Sequence, residues 1–320
     1  MRVSDANSHA SFQRNLYTSQ KRLNKLSYQL GTFTEINKSS DDPLAFSKIL
    51  GMNQAIVKNE GYNKTINESI SWCNTQDAAL DSATESMHRI RDLMILSAND
   101  TTTEEEMEIN KQEMISEIES IVDSLNATYD GRYVFGGQNT DIPPFEVIKD
   151  DKGDITEIKY HGTPDNLPRE VSGGITVDLT TNGSIFANST TDADGNTGNV
   201  NTFIQELMTA MNNNDKEALS GTAATGDQPA TGLLVKMDSH INNIVNTRAK
   251  IGTTSNRLDK VKERNEAENL QLREDLSEKQ DIDVVEKYIE FSNQMLSYEA
   301  SMKIGTKILQ TSILDYVWYM

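Results

Sequence analysis

Apolar side chains near the start of the chain fall at Phe12, Leu16, Leu23, Leu26, Leu30 and Phe33, with Ser19 as a polar intruder, in alternating steps of four and three. That is the spacing of a helix that buries one narrow stripe. Gly31 and Thr32-Phe33-Thr34 weaken the helix, and a break is expected before Asp41-Asp42-Pro43. There an Asp suits the N-cap and Pro43 the first helical position. A second stripe follows at Ile49, Met52, Ile56, Asn59, Asn63, Ile66, Ile70 and Cys73, and continues to Leu80 and Met87. It is expected to end near Asn99-Asp100. A third stripe, Met107, Met114, Ile118, Ile121 and Leu125, opens behind Thr101-Thr102-Thr103-Glu104, a capping start.

The C-terminal part repeats the pattern. Leu233, Val235, Ile241, Ile244 and Val245 lead into Leu258, Val261, Leu272 and Leu276, and the spacing breaks near 277–283. Beyond the break, Tyr288, Met295, Met302, Leu309 and Tyr316 recur every seven residues.

The middle is different. Four of the six prolines (Pro143, Pro144, Pro164, Pro168) crowd into one short stretch, and a helix interior excludes proline at a cost of ~3 kcal/mol. Residues 145–148 and 155–160 flank a turn containing Gly153 and read as a β-hairpin, with 175–179 as a third strand. Residues 188–199 read as a polar loop, 201–211 as a short amphipathic helix, and 220–232 as a second loop. The fold class is therefore mainly α: a long coiled-coil-like helical rod formed by the N- and C-terminal segments, with a small β-rich domain inserted in the middle. Residues 1–40 and 281–320 form terminal helices, 41–139 and 200–280 the helical rod, and 140–199 the β-rich insert.

Composition supports narrow seams. Only 36% of the 320 residues are hydrophobic and 6% aromatic, which suits helices that each bury a stripe and leave the rest wet. The net charge of -19 excludes nucleic acid, because phosphate binding needs clustered Lys and Arg. Charge is uneven: residues 1–40 hold six basic side chains (Arg2, Arg14, Lys21, Arg22, Lys25, Lys38) against Asp5 and Glu35, so a basic end could pair with acidic partners. No stretch approaches the ~20 apolar residues of a membrane span, so membrane insertion is not expected. The first residues have no apolar h-region of a secretory signal.

Candidate chemistry is sparse. The four histidines (His9, His88, His161, His240) are scattered, and the chain has no HExxH, nucleophile elbow, P-loop or dinucleotide fingerprint. Asp192-Ala193-Asp194-Gly195-Asn196 imitates a calcium loop, but Thr197 and Phe203 stand where Gly and Glu are needed. Gly136-Gly137 reads as a turn leaving a strand. The single cysteine, Cys73, rules out an intrachain disulfide and sits at a seam position as a small buried hydrophobe. Asn59 and Asn63 read most simply as tolerated, partly exposed positions, and alternatively as fixing register between helices. No catalytic, cofactor-binding or metal-ligating residue is assigned, and the chain is not expected to be an enzyme. The apolar ending Tyr316-Val317-Trp318-Tyr319-Met320 reads as docked, within the chain or on another subunit.

Several stretches resemble the flagellin superfamily. They are Met1-Arg2-Val3-Ser4; Ile36-Asn37-Lys38-Ser39-Ser40-Asp41-Asp42-Pro43; Asp130-Gly131-Arg132-Tyr133-Val134-Phe135-Gly136-Gly137 with Pro143-Pro144-Phe145; and Ser312-Ile313-Leu314-Asp315-Tyr316. The resemblance covers about 1–145 and 232–320. It departs at Gly31-Thr32-Phe33-Thr34-Glu35, where the family has Ser-Gly-Lys, and at Trp318-Tyr319-Met320, which extend past the family's ending. It implies a structural subunit of the bacterial flagellum at the hook–filament junction, with filament flagellin as the alternative and a surface adhesin through the middle domain as a reading of another class. It also implies export through the flagellar channel without a cleaved signal, to an extracellular destination. The implied partners are copies of itself, the hook-side junction protein, flagellin, and an export chaperone on the C-terminal helix. Two seams are assigned to assembly: Phe12, Leu16, Leu23, Leu26, Leu30 and Phe33 at one end, and Val285, Tyr288, Met295, Met302, Leu309, Ile313 and Tyr316 at the other. The ends are expected to be mobile in the free subunit and to order when stacked.

Overall fold

The computed structural model describes residues 2–151, 153–179, 182–183, 186, 190–191, 197–198, 200–221 and 232–317. Along them run helices α1 (Arg2–Thr32), α2 (Pro43–Ser97) and α3 (Glu104–Leu125), then strands β1 (Thr128–Tyr129), β2 (Arg132–Tyr133), β3 (Phe145–Lys149), β4 (Ile155–Tyr160), β5 (Leu167–Ser172), β6 (Ile175–Leu179), β7 (Thr190–Thr191) and β8 (Thr197–Gly198). Helices α4 (Val200–Asn212), α5 (Lys216–Ser220), α6 (Leu233–Gln280) and α7 (Val284–Val317) follow. The architecture is mainly α with a small β region, as the periodicity predicts. At 55 residues, α2 is about 80 Å long. The chain divides into two compact units, Met1–Asn59 with Ala267–Met320, and Glu60–Glu266.

The helix boundaries follow local chemistry. Asp42 caps α2 as expected: its Oδ1 accepts from Leu44 N at 2.9 Å and Ala45 N at 3.0 Å. Thr103 and Glu106 close a capping box on α3, so two backbone donors at that end are satisfied reciprocally. The break near 277–283 is real: α6 stops at Gln280 and α7 starts at Val284. Phe33 corrects the sequence reading. It adopts φ 58°, ends α1 and is exposed, so it leaves the seam that its spacing had placed it in.

In the larger unit, Ile66, Leu80 and Met94 of α2 join Met114 of α3, Leu207 of α4, and Met237 and Ile244 of α6 in one core. Ion pairs set α2 against α6. Arg248 forks between Asp77 (3.0 Å) and Asp81 (2.7 Å), while Arg91 holds Asp238 at 2.6 Å, so the two helices run antiparallel. Cys73 is buried, as its seam position predicts, and burial pushes its thiol up to about 11. Asn59 is buried too, against the reading of a partly exposed residue; Asn63 is half-buried.

The β region is a set of two-stranded antiparallel ladders. The pairing of β3 with β4 matches the expected hairpin. Strand β5 was not anticipated, because Pro164 and Pro168 mark that stretch as irregular. Pro168 is accommodated opposite Asp178 because each strand of a two-stranded ladder has a free edge on which a missing N–H costs nothing. The β5–β6 hairpin docks on helices: Asn265 Nδ2 donates to Val171 O at 2.9 Å, and Tyr62 OH to Glu170 Oε1 at 3.1 Å. The stretch expected to be all loop contains the β7–β8 pairing, and Asp192-Ala193-Asp194-Gly195-Asn196 lies outside the described residues. So do most of the loop expected at 220–232 and the terminal Trp318-Tyr319-Met320.

Candidate assembly surface

The smaller unit brings the two ends of the chain together. Helices α1 and α7 pack antiparallel: Phe12 lies on Gly305, Gln294 Nε2 donates to Ser19 Oγ at 2.7 Å, and Lys287 Nζ meets Glu35 at 3.3 Å. A short bridge closes the end of the pair. Thr34 and Asp281 form an antiparallel β-bridge, Glu35 N donates to Gln280 O at 2.6 Å, and Ile282 N donates to Phe33 O at 3.2 Å. The left-handed Phe33 that breaks the seam thus supplies the carbonyl that ties α1 to the α6–α7 junction.

The motif at 36–43 packs beneath this bridge. Asn37 is held by Thr34, whose Oγ1 donates to Asn37 Oδ1 at 2.6 Å, and Asn37 Nδ2 returns a bond to Thr34 O at 3.0 Å. Ile36 is half-buried. Asp41 takes an ion pair from Lys25 at 3.1 Å. The hydrogen bond from Lys25, more than the opposing effect of burial, holds its carboxyl below the usual range. Asp42 and Pro43 then start α2. Each motif residue therefore has a local job: Asn37 shapes the turn, Asp41 ties it to α1, and Asp42 caps the next helix.

The second motif lies in the larger unit. Asp130 and Gly131 adopt φ 51° and 74°, the doubly left-handed pair that a two-residue hairpin needs, and they join Tyr129 to Arg132. Tyr133 N donates to Thr140 O at 2.9 Å. Phe135 is buried, edge-on to Phe186 with ring centroids 5.8 Å apart, and its carbonyl accepts from Tyr160 OH at 2.9 Å. This motif is an internal brace of the larger unit.

The two predicted seams fare differently. Phe12, Leu16, Leu23, Leu26 and Leu30 are half-buried, together with Ser19, on the face of α1 that meets α7. On α7, however, the face toward α1 is Lys287, Phe291, Gln294, Tyr298, Ser301 and Gly305, half-buried or buried in turn. The heptad taken as the C-terminal seam points away: Val285 is 70% exposed, Tyr288 62%, Met295 46% and Met302 43%. Leu309, Ile313 and Tyr316 continue along the α7 backbone, and their side chains lie outside the described part. The inner seam does not read as apolar because four of its six residues, Lys287, Gln294, Ser301 and Gly305, are polar or small, although its 4-3 spacing is regular. Lys287 reaches Glu35 and Glu290 from a half-buried position; burial alone would lower its ammonium, but the two carboxylates outweigh it and raise it above the ordinary lysine range.

Among the described residues there is no group of three or more His, Cys, Asp or Glu placed to hold a metal ion, and no helix is long and apolar enough to cross a membrane. The exposed apolar side chains of α7, among them Val285, Tyr288, Met295 and Met302, form a stripe of the kind that another helix can cover.

Comparison with known proteins agrees with that character. Residues 3–140 match the bacterial flagellin N-terminal helical region. The chain is 24% identical over 332 residues to flagellar hook-associated protein 3 of Escherichia coli (strain K12), covering 98% of this chain and 99% of that protein. Polar flagellin C of Vibrio parahaemolyticus is 30% identical over 136 residues, which cover 38% of this chain. The fold is similar to that of flagellar hook-associated protein-3 from Legionella pneumophila, with a TM-score of 0.54, 15% identity, and coverage of 72% of this chain and 98% of that one. The chain is thus similar to the flagellin N-terminal helical region over its first 140 residues and to flagellar hook-associated protein 3 along nearly its whole length.

Proposed function

We propose that this protein is a structural subunit of the bacterial flagellum at the hook–filament junction. The observation that carries the reading is similarity to hook-associated protein 3 over 98% of the chain, middle included, against 38% for the filament flagellin. The middle region is where a junction subunit and a filament subunit would differ, so the alternative of a filament flagellin is the weaker one.

The assembly surface is the open face of α7, with Val285, Tyr288, Met295 and Met302 exposed, and α1 braces it from behind. A helix with apolar residues on two faces is stable only when both are covered, and α1 covers one. Neighbouring copies, the hook-side junction protein and flagellin are the partners that would cover the other. Ordering of the ends on assembly would let the chain pass an export channel unfolded and gain its seams afterwards. On the same reading, a chaperone shields the C-terminal helix before export, and the protein ends outside the cell without a cleaved signal.

The decisive experiment is deletion of the gene followed by electron microscopy. Hooks without filaments, with flagellin shed into the medium, are expected; normal filaments on the deletion strain would end the reading.

A further inference from the structure

Five glycines lie inside the long helices: Gly31, Gly51, Gly61, Gly252 and Gly305. At the first four, a Cβ would meet nothing within 4 Å. At Gly305, a Cβ would lie 2.7 Å from Cε1 and 3.2 Å from Cε2 of Phe12, and closer still to Cζ. Glycine weakens a helix interior relative to alanine, so a helical glycine that is filled by a ring differs in kind from four that face open space. Gly305 is also the only fully buried position of α7 among those whose side chains are described.

We propose that Gly305 is a notch for the Phe12 ring, and that this pair fixes the register of α1 against α7. The seams alone leave register open, because both repeat in steps of three and four, and a slip of one heptad preserves such a pattern. A slip of seven residues toward the start of α7 would face Phe12 with Tyr298, ring against ring, with no notch to receive it. Ser19 and Gln294, 2.7 Å apart, mark the same register by a hydrogen bond, but that bond can re-form with other polar seam residues. Only one residue on the inner seam of α7 has no side chain, so shape specifies what polarity does not. The consequence for assembly, which rests on the proposed function, is that a fixed register also fixes the height at which Tyr288, Met295 and Met302 are displayed.

Register can be read by a disulfide. In a chain carrying Ser19→Cys and Gln294→Cys, mild oxidation should close an intrachain bond, in purified protein or in isolated flagella; the native Cys73 is buried and stays out of the reaction. Adding Gly305→Ala should slow closure about tenfold, at the lower end of what overpacking a close contact costs, and adding Phe12→Ala as well should relieve the clash and restore closure in part, the notch that specifies register being gone. Helix propensity predicts the opposite sign for Gly305→Ala alone, since alanine strengthens a helix. Unchanged or faster closure in Gly305→Ala would overturn the proposal. So would the absence of any recovery on adding Phe12→Ala, or no closure in the parent in either preparation. If the deletion strain keeps its filaments while closure follows the expected order, the junction reading fails and the register pair stands.

Discussion

Lys111 and Asp154 form a buried ion pair, with Nζ and Oδ1 3.1 Å apart and side chains 8% and 9% exposed. Asn212 completes the arrangement: its Oδ1 accepts from Lys111 at 2.9 Å and its Nδ2 donates to Asp154 Oδ2 at 3.0 Å. Three separate elements, α3, the turn before β4, and the end of α4, meet at this point. The β insert is thereby fastened to the helices by charge as well as by apolar packing.

Breaking the pair from one side leaves a buried carboxylate without its cation. Lys111→Met should destabilise the chain by about 3 kcal/mol, the lower end for such a loss, read as a shift of the urea midpoint at unchanged slope. The double change Lys111→Met, Asp154→Leu should recover most of that loss. A single substitution within experimental error of the parent would show that the pair contributes no net stability.

The same lysine predicts a pH limit. Burial alone would lower its ammonium, but hydrogen bonds to Asp154 and Glu108 hold it above the ordinary lysine range. A raised folded value contributes stability that is complete below the unfolded lysine value of ~10.4 and is lost as pH rises through the folded value. Thermal stability should therefore be level from about pH 7 to 9 and fall above about 10.4, with a smaller fall in Lys111→Met. Melting curves across that range decide it.

Cys73 should be unreactive until the larger unit opens. With its thiol pushed up to about 11, the thiolate fraction at pH 8 is on the order of a hundredfold below that of a free cysteine. Labelling by a thiol reagent should be slow in native protein and fast in denaturant. Rapid native labelling would place Cys73 outside the core.

If the open face of α7 is the proposed assembly surface, substitutions there separate assembly from folding. Tyr288→Glu and Met295→Glu alter residues that are 62% and 46% exposed, so each should change the stability of the free chain by less than about 0.5 kcal/mol. Filament number per cell should nevertheless fall, because a carboxylate at a helix–helix interface is costly to desolvate. Normal filament counts in both variants would move the assembly surface elsewhere.

Local signals were legible where one residue type has one physical job. Asp42 before Pro43 announces a helix start and Thr103 a capping box, and each does that job in the structure. The strand through Pro168 was not legible, because a proline is permitted only where an edge is free, and whether a ladder has two strands or more is a property of the whole region. Phe33 and the inner seam of α7 were missed for a related reason. A hydrophobicity scan takes Phe33 as apolar and Gly305 as blank, although the first turns out of its helix and the second is buried under Phe12.

The sequence by itself determined that the ends are helices with narrow stripes, that the middle is β, and where most helices begin and stop, because spacing, capping and proline exclusion act within a few residues. Only the tertiary structure decided which stripe of α7 meets α1 and which is left open. That choice depends on shape between segments nearly three hundred residues apart, where a missing side chain can matter as much as an apolar one.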